Sequence, residues 1–366
     1  MNYHYKNLQV IAFAFTFFMG VFITKAQINL PRGSQKATVS QTVGTSDVTI
    51  HYSRPSVKGR EIWGKLVPYG MTNPGFGTAS EAPWRAGADE NTTITFSHNA
   101  KVGGKEIEAG TYGLHILVKD EDNATIIFSK DIDSWGSFFY DEESDALRVD
   151  ITSREVPHKE WLTFEFGQIT PTSATAALVW EKKEFPFTIS FDVTDIVLSE
   201  FREKSKGQLG FSRQNWEQAA RFSANNYGDL EEALGWVDGA ISGNFYSQKT
   251  FNNLALKAQI LRKMGNTEEY AALMNEAAQM ANMNQLNTLG YQMMNAKDYE
   301  SALKFFKLNV KNNPENANVH DSLGECYKTM GDKKNAVKYL KKSLALNPPA
   351  NVKANSEKLL AELEAM

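Results

Sequence analysis

The sequence predicts an antiparallel β-sandwich followed by an α-helical repeat array, and three observations predict it. Apolar and polar residues alternate at period two from Ala37 to about Val193, as in strands with one face on a core. Near Thr194 the period changes to about 3.6 residues, that of an amphipathic helix. Beyond Gln285 the sequence repeats itself at a period of 34 residues.

Taken in order, the 366-residue chain starts with a short polar segment containing Lys6. An uncharged apolar run follows from Leu8 to Ile23, then Thr24-Lys25-Ala26 ahead of Gln27. This is the pattern of a secretory signal peptide over residues 1–26, cleaved before Gln27 and leaving no stable membrane span. The protein is therefore expected to be exported, periplasmic or secreted. The formal net charge of −4 becomes −6 once Lys6 and Lys25 are removed with that segment. Such a chain lacks the basic footprint of a nucleic-acid binder, so no nucleic acid is expected as partner. The single cysteine, Cys326, excludes an intramolecular disulfide and sits among helical residues as a small core side chain.

The β-domain is expected over 27–193, with about nine short strands in two sheets. Val48-Ile50-Tyr52, Ile94-Phe96 and Leu162-Phe164-Phe166 form the clearest inward rows. Further strands are expected over Thr111 to Val118, Ala124 to Lys130, Ala146 to Ile151, Ala174 to Glu181 and Phe185 to Val193. Gly103-Gly104 reads as a hairpin turn rather than a phosphate cradle. No helical pattern of 10 to 15 residues intervenes, so the sheets are expected to be antiparallel rather than parallel.

A linking helix is expected over 194–211, with Ile196, Val197 and Phe201 on one face, and helical repeats over 212–366. Leu289-Gly290 recurs as Leu323-Gly324, Asp298 as Asp332, Ala302 as Ala336 and Pro314 as Pro348. This resembles the tetratricopeptide repeat, a helix pair whose small residues permit close crossing. The clearest units are 285–318 and 319–349, with degenerate units upstream at Asp229 to Leu234 and Leu254 to Ala281. About four helix pairs follow Ser212, capped by Val352 to Leu363. The usual first-helix Trp is replaced by Leu286 and His320, and the usual Tyr by Met293 in the first unit. The resemblance implies a protein or peptide partner.

The candidate site lies between His51 and Glu90. Arg54, Arg60 and Arg85 offer fork-shaped donors for a carboxylate, sulfate or phosphate, and Trp63 and Trp84 offer flat faces for a sugar ring or a cation. With Tyr52, Asp89 and Glu90 these residues make the expected ligand-binding set, for a small polar or saccharide-like ligand. A second reading stays open, in which the arginines pair internally with Asp89 or Glu90 and Trp63 plugs the end of the core.

Tyr52-Ser53-Arg54-Pro55, Gly59-Arg60, Leu66-Val67-Pro68-Tyr69-Gly70, Trp84-Arg85-Ala86-Gly87-Ala88 and Ala109-Gly110-Thr111-Tyr112 resemble the signature of domain-of-unknown-function family 2911. The similarity runs from about Leu30 to Phe191. It implies an exported protein of a Bacteroidetes-type bacterium, often with a repeat array attached, and implies no activity. Here Met71 to Pro83 intervene before the Trp-Arg pair, either as a lid or as a lengthened surface loop.

Other chemistry is weakly supported. His51, His98, His115 and His158 lack metal-ligand spacing, although His51 and His115 could share a sheet face, and no metal or cofactor is expected. No Gly-x-Ser-x-Gly elbow, Walker loop or dinucleotide fingerprint occurs. The leading expectation is an exported binding and scaffold protein with no catalytic residue. The alternative is an extracytoplasmic hydrolase of glycans or peptides, using a carboxylate pair such as Glu90 and Glu165, with Asp89 nearby.

Overall fold

A computed structural model describes residues 30–365; the expected signal segment lies outside the described residues. The chain divides into two units, 1–192 and 193–366.

The first unit is a sandwich of two antiparallel sheets built from β1 (Gln35–Val43), β2 (Ser46–Arg54), β3 (Thr93–Phe96), β4 (Ala100–Val102), β5 (Lys105–Ile107), β6 (Gly110–Val118), β7 (Asn123–Ser129), β8 (Asp145–Thr152), β9 (Arg154–Gly167) and β10 (Ser173–Ser190). One sheet has the order β1-β2-β3-β6-β7-β8 and the other β5-β4-β10-β9. Alternation places Val48, Ile50, Ile94, Phe96, Leu114 and Ile116 between the sheets, each at most 1% exposed. Rings close the gap from both sides: Tyr52 meets Phe164 edge-on at 4.9 Å, and Phe128 meets Phe187 at 6.2 Å. Gly103 and Gly104 both take positive φ, +56° and +83°, in the two-residue turn joining β4 to β5.

The stretch expected to form two strands, 174–181 and 185–193, is one strand, β10. Its register against β9 shifts between Val179 and Glu181 and again between Glu181 and Lys183. Those bulges change which parity points inward, from Ala174, Ala176, Leu178 and Trp180 to Phe185, Phe187 and Ile189. A sequence reader sees two alternating runs out of phase and infers a break; the backbone instead absorbs the phase change, with Glu181 at φ +55°.

Strand β3 spans only the first half of β6, and the 55–92 connection covers the rest of that edge. Leu114 donates to the Thr92 carbonyl, Ile116 and Trp84 exchange backbone bonds of 2.8 and 3.2 Å, and Gly70 donates to Val118. Within the connection, Met71–Pro83 folds as a hairpin closed by reciprocal Thr72 and Ala82 bonds. Ala82 joins Ile127 and Tyr140 in a small second core on the outer face of the sheet, with Met71, Ala79 and Leu117 against it. The insertion is therefore anchored by burial, and Ala79 donates to the Phe138 carbonyl of the next loop.

The second unit contains ten helices among the described residues. Helix α1 (Val193–Lys204) leads into four helix pairs: α2 (Arg213–Asn225) with α3 (Leu230–Ile241), α4 (Phe251–Lys263) with α5 (Thr267–Met280), α6 (Met283–Asn295) with α7 (Tyr299–Asn312), and α8 (Ala317–Thr329) with α9 (Lys333–Ala345). Helix α10 (Ala350–Ala365) follows. Asp229, Asn266, Asp298 and Asp332 cap the second helix of each pair by accepting backbone N–H bonds, which explains their recurrence in the turns. Helix α1 packs into the array: Phe201 lies edge-on to Trp216 and Trp236 at about 5 Å, and Arg202 grips the Glu232 carboxylate through two nitrogens. Cys326 is buried in the core, and burial pushes its thiol up to about 11. No helix among the described residues is long and apolar enough to cross a membrane.

Candidate functional site

The expected site residues separate into three groups. Tyr52 is buried on β2 against Phe164, part of the sandwich core. Arg54, at the end of β2, donates through Nε to the Leu162 carbonyl at 2.8 Å and through a terminal nitrogen to Thr163 Oγ1 at 2.6 Å. Both acceptors belong to β9, so this guanidinium ties one sheet to the other. The backbone does the same beside it, with Leu162 donating to Pro55 and Val57 to Glu160.

Four of the expected residues, Arg60, Trp84, Arg85 and Asp89, line one cleft of about 530 Å³. Lys58, Leu66 and Trp180 add to its wall. Arg60 donates to the carbonyls of Val57 and Ser56 at 3.0 and 2.5 Å, holding the turn that presents it. Arg85 donates to the Asp89 carbonyl at 2.6 Å and lies over the Phe138 ring, 4.9 Å from its centroid. Burial pushes the Arg85 guanidinium down from its ordinary value. Gly136, at φ +65°, is packed against it so closely that a Cβ there would come within 2.2 Å of the guanidinium carbon.

Behind the cleft, Trp84 stacks on Trp180 at 5.9 Å with the planes 18° apart. Trp63 lies edge-on to both, and Phe185 closes the cluster at 5.1 Å from Trp63. Trp63 does not line the cleft; it supports the two that do. Trp84 donates its indole N–H to Gly87 at 3.2 Å. The buried indole N–H groups of Trp63 and Trp180 have no acceptor among the described residues.

The acids sit on the N-terminal side. Glu90 accepts both terminal nitrogens of Arg32, at 2.9 and 2.8 Å, and lies 3.1 Å from the Lys36 ammonium, while Asp89 is 3.2 Å from Arg32. The Arg32 hydrogen bonds draw the Glu90 carboxyl down to about 2. Glu165, proposed above as its catalytic partner, pairs with Lys159 at 2.6 Å. A general acid needs a raised pKa, so Glu90 is held in the wrong state for that role. Because its folded-state value lies below its ordinary 4.5, its stabilising contribution is present above that value and is lost as pH falls toward 2. At about one-third exposure the pair is screened, and Glu90→Gln is expected to cost about 1 kcal/mol at pH 7. Urea unfolding at neutral and acidic pH should show the parent and the variant converging at the acid end.

The sequence reading missed Arg32, Lys36, Lys58, Trp180, Gly136 and Phe138. Trp180 carried a usable signal, since it continues the inward row Ala176-Leu178, and Lys58 lies two residues before Arg60 in the candidate stretch itself; the others adjoin the site only through tertiary folding. His51 and His115 lie on the same sheet face but apart in role. His51 is exposed and bonded to Thr38, whereas His115 is buried, bonded to Ser137 at 3.1 Å, and pushed down to about 4 by burial. Among the described residues no group of His, Cys, Asp and Glu could hold a metal ion.

No curated protein matches the chain. Among solved structures, the chain is similar to MamA at 13% identity, covering 42% of this chain and 89% of that one with a TM-score of 0.30. It is similar to MamA 41-end from Desulfovibrio magneticus RS-1 at 16% identity, covering 42% and 91% with a TM-score of 0.27. It is also similar to YrrB, described as a TPR protein with an unusual peptide-binding site, at 13% identity, covering 45% and 84% with a TM-score of 0.29. Residues 34–189, which hold all eight expected site residues, match the family described as a protein of unknown function, DUF2911, and residues 317–349 match the tetratricopeptide repeat, in the order the sequence predicts.

Proposed function

We propose that this chain is an exported binding and scaffold protein, whose β-unit holds a small polar or saccharide-like ligand and whose helical repeats hold a protein or peptide. The observation that carries the first part is the convergence of Arg60, Trp84, Arg85 and Asp89 on one cleft. Its volume falls in the range of small-molecule sites, and it combines an indole wall with a few fixed polar groups. The side chains around it are held by backbone carbonyls and stacked rings, so little ordering entropy would be lost on binding.

The second part rests on the repeats. A groove of about 300 Å³ runs over α4 and α6, lined in part by Asn252, Gln259, Gln285, Thr288 and Gln292. Amide side chains offer both donors and acceptors, which suits the alternating groups of a peptide backbone. Export is supported by the leader pattern.

The test is a thermal-shift screen of the full chain against sugars, sugar acids, peptides and anions, with Trp84→Ala alongside. A ligand that raises the midpoint of the parent, with a shift reduced or absent in Trp84→Ala, supports the cleft as its site. Equal shifts in both proteins, or none in the parent, would count against it. For the repeats, a displayed peptide library should yield binders that Gln285→Ala combined with Gln259→Ala weakens about tenfold; unaltered binding would remove the groove from the proposal.

A further inference from the structure

We propose that the cleft of the β-unit is an anion site, taking a small ring-bearing molecule with a carboxylate, sulfate or phosphate group; this rests on the cleft being a ligand site at all. Three cations line it, Lys58, Arg60 and Arg85, and one acid, Asp89. Asp89 is neutralised from outside the cleft wall, by Arg32 at 3.2 Å. None of the three cations has a carboxylate within ion-pair distance among the described residues. Arg60 and Arg85 donate to neutral backbone carbonyls, of Ser56, Val57 and Asp89. Those bonds fix the guanidinium planes without a direct ion pair, Asp89 lending Arg85 only a favourable charge at longer range, and each guanidinium retains further N–H donors.

Lys58 is presented deliberately. Its backbone is held at φ +49° and its N–H donates to the Glu160 carboxylate at 2.9 Å, while its ammonium has no partner among the described residues. The chain as a whole carries a formal net charge of −4, so the excess of positive charge in this cleft runs against the sign of the whole. A second, independent feature points to an acceptor-rich occupant: Trp180, 1% exposed and part of the cleft wall, carries an indole N–H without an acceptor. The neighbouring Trp84 supplies the apolar face on which a ring can rest. An uncharged sugar would satisfy the Trp180 indole N–H and leave the three cations without a counter-charge, whereas an oxyanion attached to the ring satisfies both.

The probe pair is glucuronate and glucose, which differ in one carboxylate, with inorganic sulfate and phosphate as further arms, titrated into the full chain by calorimetry. Glucuronate is expected to bind at least tenfold more tightly than glucose and to weaken as salt rises. Lys58→Gln should lose about fivefold, and Lys58→Glu should lose detectable binding, with unchanged thermal midpoints because the Lys58 ammonium holds nothing in place. Binding of sulfate or phosphate with the same Lys58 dependence supports the anion site and identifies the oxyanion rather than the sugar as the recognised part. Glucose binding as tightly as glucuronate, with Trp84→Ala abolishing both, would overturn the anion site and leave the cleft as a neutral saccharide site. Binding of an acid unaffected by Lys58→Glu would likewise overturn it. No binding by any of the four probes to a folded chain would overturn the anion site too, and the broader ligand screen then decides separately whether the cleft binds anything.

Discussion

Replacing Trp180 with alanine is expected to destabilise the β-unit by about 4 kcal/mol, within the range measured for emptying a large aromatic site. Trp180 is 1% exposed and is the largest fully buried side chain of the described residues. Trp63 and Trp84 both lean on it. The space it leaves cannot close easily, because Trp84 is tied by its backbone to Ile116 and Trp63 is wedged against Phe185. Trp180→Phe is expected to cost much less, about 1 to 2 kcal/mol. Its indole N–H has no acceptor, so no hydrogen bond is lost and an unsatisfied buried donor is removed. Urea unfolding followed by near-ultraviolet circular dichroism checks both. Equal losses for Ala and Phe would show that the N–H is used.

Replacing Gly290 with valine is expected to cost the helical unit about 3 kcal/mol. Gly290 lies on α6 where it crosses α7, and a Cβ there would stand 2.4 Å from the Phe306 ring, itself fully buried. The equivalent Gly324 on α8 meets Leu340 of α9 at 2.7 Å. These glycines let the two helices of a pair approach, which is why they recur at the repeat period. Gly235 in α3 is the internal contrast, with nothing within 4 Å of its added Cβ. Gly235→Ala is expected to stabilise the array by up to about 1 kcal/mol through helix propensity alone. Thermal unfolding followed by helical circular dichroism should show the two substitutions moving in opposite directions.

The helix pairs were legible because every one has a local cause: an Asp or Asn cap at the turn and a small residue at the crossing. The sandwich was legible wherever alternation held its phase, as along β2 and β3. It failed at β10, where two bulges move the inward row from Trp180 to Phe185 without ending the strand. The site was legible as a cluster but not as a geometry. The sequence placed Arg54 beside Arg60, yet one braces the sheets and the other lines the cleft, and the choice depends on the Leu162 and Thr163 acceptors of a strand more than 100 residues away. Glu90 was placed in the ligand-binding set, with internal pairing to an arginine left open as the alternative; its partner is Arg32, which comes alongside only when β1 pairs with β2.

The central claim is that the Trp-backed cleft receives a ligand, and the indole N–H groups report on it most directly. The chain would be labelled with nitrogen-15 and its indole signals assigned through Trp63→Phe, Trp84→Phe and Trp180→Phe variants. They would then be followed during titration with sugars, sugar acids, peptides and anions. The account predicts that one class of compound moves the Trp180 and Trp84 signals saturably while those of Trp216 and Trp236, in the other unit, stay still. Signals of Trp63, Trp84 and Trp180 that remain fixed throughout the panel, in a chain that stays folded, would contradict it and leave the cluster as an internal brace.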